Sequence, residues 1–200
     1  MNDLPYEFCA LRFLLQWERA EEKLRDEFRD GPTVKELRRA LKHFQVARNF
    51  KGLKSDDVAN SIIVALNKVA TTSAPPEQKV VALAKKFRSE FSQFNLSAAS
   101  KLLWLKGDNR VIIYDSRAVA ALYEMDCAFE KRDYRAYCES WRKQFSVRRK
   151  KIRAAARRLP EARGFLPLKY QKSRLDALIT KRWFVDRIFD IYLWEAGAEG

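Results

Sequence analysis

Two hundred residues, 47% of them hydrophobic and 12% aromatic, are enough for one packed domain or two apposed lobes, and a charged fraction of 33% does not describe a disordered chain. Three scattered cysteines and a single histidine, His43, exclude a disulfide framework and any zinc or iron–sulfur spacing, so no cofactor is expected. There is no secretory pattern at the N-terminus and no apolar run of the roughly 18 residues that a membrane span needs, so a cytoplasmic, monomeric protein with no membrane partner is expected.

Periodicity predicts helices almost throughout. The first runs from Leu4 to Arg29, with Phe8, Leu11, Leu15, Leu24 and Phe28 as its inner face. Asp30–Gly31–Pro32 stops it, and Thr33 with Glu36 forms a capping box for a helix carrying Val34, Leu37, Leu41 and Phe44. Another starts at Ser55 or Asp56 and buries Val58, Ile62, Ile63, Leu66 and Val69. "TTSAPP", Thr71 to Pro76, is a linker too short to part independent domains, and Pro76 suits the first turn of a helix that turns Val80, Leu83, Ala84, Phe87, Phe91 and Phe94 inward.

A short helix over 98–106 follows, then a break at Gly107–Asp108–Asn109. "VIIY", Val111 to Tyr114, has no partner strand and reads as a buried extended connection. Asp115 or Ser116 caps a helix through Ala118, Val119, Leu122 and Met125. A long helix covers 133–159, with Tyr134, Tyr137, Cys138, Trp141, Phe145, Ile152 and Leu159 inward. Pro160 ends it, and Gly164 and Pro167 fall in a loop. The last helix, 173–195, has apolar residues on so much of its circumference that burial on more than one side is expected.

The charge is concentrated. Lys131 to Arg182 holds 18 Lys or Arg against 4 Asp or Glu, a local excess equal to the +14 of the whole chain. Clustered positive charge attracts polyanions, nucleic acid first among them. Arg142, Arg148, Arg149, Lys150, Lys151 and Arg153 are the candidate phosphate contacts. The consecutive run 148–151 must wrap around its helix, so only some of it can face one ligand. A solvated, highly charged surface is the competing reading.

Within "SAASKLLWLKGDNRVIIYDS", Ser97 to Ser116, a lysine opens an apolar helix and an aspartate opens the next one. Lys101 is either a surface residue near a helix start or a nucleophile; Asp115 is either a cap or a catalytic carboxylate. The order of helix, tight turn, Ser-rich helix entry, lysine, apolar helix, polar break, extended run, aspartate and new helix resembles the helix–hairpin–helix DNA glycosylases, in their 8-oxoguanine glycosylase-like branch. The match covers about Phe87 to Leu122, and the hairpin position holds "NLSAAS" without glycine.

That resemblance implies a compact, two-lobed all-α fold with a cleft, one glycosylase domain over 1–200. It implies Lys101 as nucleophile and Asp115 as catalytic carboxylate in base excision with AP lyase activity, and an oxidised purine is the substrate it suggests. The partner it implies is double-stranded DNA with a flipped base. Ser97 and Ser100 are then candidate phosphate donors, and Trp104, Trp183 and Phe184 candidates for stacking on the extruded base. Arg117 reaches a phosphate or pairs with Glu124. A lysine amine, with an ordinary pKa of about 10.4, is almost wholly protonated at neutral pH. A nucleophilic lysine therefore needs apolar neighbours, which Leu102, Trp104 and Leu105 offer. A non-catalytic nucleic-acid binder is the alternative.

Overall fold

The computed structural model describes residues 4–165 and 171–198. Among these, every regular element is helical and there is no strand, as the periodicity predicts. No helix among them is long and apolar enough to cross a membrane. The chain forms two compact units. Unit 1 joins Met1–Ala20 to Asp115–Gly200, and unit 2 is the continuous run Glu21–Tyr114.

The first predicted helix is interrupted. Helix α1 (Tyr6–Gln16) passes through a π turn, Trp17–Glu21, into α2 (Glu22–Arg29), and the boundary between the units falls inside that turn. Its inner face also differs from the predicted one. Cys9, Ala10, Phe13, Leu14 and Trp17 are buried, whereas Phe8 and Leu15 are exposed. Leu15 and Leu24 are nine residues apart, about two and a half α-helical turns, so they never shared a face. Apolar residues on two sides of α1 left two stripes to choose from.

Unit 2 continues with α3 (Val34–His43), α4 (Asp56–Ala70), α5 (Pro76–Phe91) and α6 (Leu96–Leu105). The Thr33–Glu36 capping box is present in both directions, at 2.7 and 3.3 Å. Pro76 takes the first helical position of α5. Helix α5 ends at Ser92, whose φ of 58° lies in the left-handed region that glycine usually fills. Three residues then lead into α6, where the Asn95 side chain accepts from the Ala98 amide at 2.9 Å. The far end of α6 closes in a Schellman motif. Gly107, at φ 102°, donates to Trp104 O, and Asp108 N donates to Leu103 O. Val111, Ile112 and Ile113 follow as a buried, non-helical connection.

Unit 1 holds α1 with α7 (Ser116–Glu124), α8 (Tyr134–Ala162), α9 (Lys172–Ile179) and α10 (Arg182–Ala196). Helix α1 packs on α8 and α10, and α10 packs on α7. The predicted last helix is two helices. Thr180 Oγ1 donates to Ala177 O and Lys181 turns extended, so a hydroxyl competing for a backbone carbonyl marks the break. Pro160 does not end α8 but sits in its last turn, where its missing N–H forfeits the helical bond to the carbonyl of Ala156 and the helix ends two residues later. Gly164 lies in a single 3-10 turn, Arg163–Phe165, and Pro167 lies outside the described residues. Nine residues of α10 are buried, on more than one side as expected. Phe13 meets Phe184 at 4.9 Å, and Trp141 meets Phe189 at 5.1 Å.

Candidate functional site

Helix α6 is the most deeply buried helix of unit 2. Leu96 and every residue from Ala98 to Leu105 are buried, and Lys101 is among them at 7% exposure. Its Nζ donates to Ser97 Oγ, one turn back, at 2.9 Å and stands 5.9 Å from the centre of the Phe44 ring. The lysine is thus no surface residue. A charged side chain in such a setting is costly to bury and calls for a reason.

Ser100 is too deeply buried to meet a phosphate, whereas the half-buried Ser97 only accepts and keeps its hydroxyl hydrogen. Ser97 Oγ takes the lysine amine. Ser100 is fully buried, donates to Ser97 O at 3.2 Å and accepts from the Tyr114 amide at 3.0 Å. One hydroxyl therefore pins the extended run 111–114 to α6, a role that spacing alone did not disclose. Trp104 is 1% exposed, with the Arg25 guanidinium 4.7 Å from its ring centre. Its faces are covered, so it offers no open stacking surface for a base.

Asp115 opens the second segment of unit 1 and is half-buried. One of its carboxylate oxygens accepts from the Arg117 amide at 3.1 Å, so it does cap α7. Arg117 is exposed, and its guanidinium lies 4.2 Å from the centre of the Trp194 ring, which Arg12 also approaches, at 5.0 Å. Gly197 explains how α7 and the end of α10 come so close: a Cβ built there would stand 1.9 Å from the Arg117 carbonyl oxygen.

Helix α8 divides its cations. Arg142, Arg149, Lys150, Lys151 and Arg153 are exposed, and Ile152 between them is buried. Arg148 instead folds back on its own helix, donating to Gln144 Oε1 at 2.5 Å, while Gln144 donates to Met125 O at 3.2 Å. The Arg148 bonds to Gln144 hold one nitrogen of its guanidinium, Nη1, one turn away. Phe184 is fully buried in the unit 1 core and has no face for a base. Trp183 is half-buried, 4.6 Å from Trp17.

A feature that the charge count concealed lies beneath α8. Asp190 accepts from Trp141 Nε1 and from Arg187, each at 2.8 Å, and both charged residues are buried. Four residues earlier, Asp186 has an Oδ1 that is buried without a hydrogen bond. Burial, helped by the Asp190 carboxylate, pushes the Asp186 carboxyl up to about 6 against the opposing pull of Arg182, Arg149 and Arg153. The signal available in the sequence was two acids at an i, i+4 spacing in the middle of an aromatic-rich helix. The three cysteines are buried and unbridged, and burial raises the Cys9 thiol to about 12. No family model matches the chain, and neither a curated protein nor a solved structure was found to be similar to it.

Proposed function

We propose that the chain is a DNA glycosylase with lyase capacity, in which Lys101 is the nucleophile and Asp115 the carboxylate that supports it. The observation that carries this reading is Lys101 itself: a buried lysine on an apolar helix, at the place where the sequence resembles the lysine-bearing glycosylases. A two-lobed glycosylase-like fold is part of the same proposal. So is the turn from α5 into α6, where Ser92 adopts the left-handed conformation that a glycine-bearing hairpin would use.

The chemistry follows from the residue types. The Lys101 amine attacks the sugar C1′ as the N-glycosidic bond breaks, and the base departs with the bonding pair and takes up a proton. Positive charge develops on the sugar, and a carboxylate in the role of Asp115 stabilises it. Loss of the amine proton and opening of the sugar ring leave a Schiff base. Removal of a C2′ proton then expels the 3′ phosphate and cuts the strand. The exposed cations of α8 supply the sequence-independent hold on the DNA backbone.

The test is borohydride trapping on duplexes that carry oxidised, deaminated or alkylated bases. The expected result is a covalent adduct with at least one lesion, absent in Lys101→Ala. Duplex binding with neither adduct nor base release would replace this reading with a non-catalytic nucleic-acid binder. No affinity for DNA even at low salt would turn it towards a helical protein-interaction module.

A further inference from the structure

Unit 2 has a second basic feature, away from Lys101, at the opposite end of α6. A cavity of about 480 Å³ opens where the α6 C-terminus meets the start of α5. Lys79, Lys106, Asp108 and Arg110 line it, together with Gly107. Three cations face one carboxylate, so the formal charge of the lining is positive by two.

Lys79 is 8% exposed, an unusual position for an ammonium group. Its Nζ donates to Ala70 O at 2.9 Å, which occupies one of its three hydrogens, and its distance to Asp108 Oδ2 is 3.7 Å, too long for a hydrogen bond. Asp108 is shared with Arg110, whose Nε and Nη2 lie 3.3 and 3.5 Å from its two oxygens. That contact is two residues long and on an exposed arginine, so it is weak and exchangeable. Lys106 donates to Arg29 O at 3.2 Å.

The backbone clears the same space. A Cβ added to Gly107 would meet nothing within 4 Å. The Schellman bonds take up the carbonyls of Leu103 and Trp104, which reduces the negative potential that a helix C-terminus otherwise presents. A cavity of this size holds a phosphate with its attached sugar.

We infer that this cavity binds a phosphate group, with Lys79 as its buried charge and Arg110 as the arm that leaves Asp108 to close on the anion. Its source is a phosphodiester of nucleic acid, which rests on the proposed function. This gives unit 2 a backbone contact that owes nothing to α8.

The experiment follows the backbone amide resonances of Gly107, Asp108 and Arg110 in the full chain during two titrations, one with an undamaged duplex and one with inorganic phosphate. It then compares the salt dependence of duplex binding between wild type and Lys106→Ala/Arg110→Ala. Both positions tolerate truncation because neither side chain is in the core. The expected result is a shift of those amides by the duplex, lost in the double variant, with a log–log salt slope reduced by about one. Lys79→Met should give the same loss of slope with the side-chain length kept.

A shift with inorganic phosphate alone would overturn the nucleic-acid source. No shift with either probe, or an unchanged slope in both variants, would overturn the site. If the slope falls but no lesion yields a trapped adduct, the cavity stands and the catalytic reading of Lys101 falls.

Discussion

Helices α6 and α8 handle positive charge in opposite ways. In α6, ten residues long, a single lysine is drawn inside with its amine on a neighbouring serine hydroxyl. In α8, 29 residues long, a buried stripe of Tyr137, Cys138, Trp141, Ile152 and Leu159 carries a sleeve of cations turned to water. Surface cations are replaceable one by one, since each gains little beyond its contribution to the field. A buried cation is not, and this is why function is sought at Lys101 while α8 is assigned only attraction.

The sharpest break of that comparison is therefore Lys101→Ala. It should remove the borohydride-trapped adduct entirely, whereas Lys150→Ala or Lys151→Ala leaves it in place at saturating DNA; adduct yield on a denaturing gel decides. Lys101→Arg keeps the charge but cannot form a Schiff base, so it too should give none. If the lysine were only a structural cation, Lys101→Arg and wild type would behave alike.

The second break concerns the acid under α8. The folded pKa of Asp186, about 6, lies above its ordinary value of 3.8, so the native state binds the proton more tightly than the unfolded chain does. Stability contributed by that proton is present below about pH 4 and is lost as pH rises towards 6 and beyond. Asp186→Asn should stabilise the protein at pH 7 by on the order of 3 kcal/mol, given about 1.4 kcal/mol for each pKa unit. It should bring no gain at pH 4. Denaturant melts across that range measure it, and a gain that does not vary with pH would show that charge burial is not its cause.

Within α6 the partner experiment is Ser100→Ala. It strips the Tyr114 amide of its hydroxyl acceptor and frees the extended run from the helix, and it should cost about 1–2 kcal/mol. Removing one exposed cation from α8 should change stability by less than about 0.5 kcal/mol. Equilibrium unfolding of the two variants side by side tests whether polar groups of α6 are structural in a way that those of α8 are not.

What the sequence disclosed follows the same division. Local signals were legible wherever a residue acts on its own neighbours: the Thr33–Glu36 box, Pro76 at a first turn, the Gly107 stop, Asp115 as a cap, and the apolar stripe of α8. The all-helical class followed from these. What stayed hidden depended on tertiary placement. Phe8 and Leu15 match a helical period as well as Phe13 and Trp17 do, and only the partners of α1 chose between them. The π turn at Trp17–Glu21 leaves no compositional mark. Ser100 has the right chemistry to bind phosphate, but it is buried and committed to partners within the protein. Phe184 and Trp104 have rings that would stack on a base, and packing covers them.

The gentlest test asks which cations on α8 do face DNA. Arg149 and Arg153 share one face of the helix while Lys150 and Lys151 turn away from it, so a single duplex cannot engage all four. Each alanine variant at a position that contacts a phosphate should lower the log–log salt slope by about 0.9 and weaken binding uniformly across sequences. A variant on the far side should change neither. Arg148→Ala is the intermediate case: one nitrogen of its guanidinium is held by Gln144, so the slope should move less than at an exposed contact. If all four exposed positions lowered the slope equally, the DNA would have to surround α8, and a polyanion that only screens a charged surface would describe the interaction better than a docked duplex.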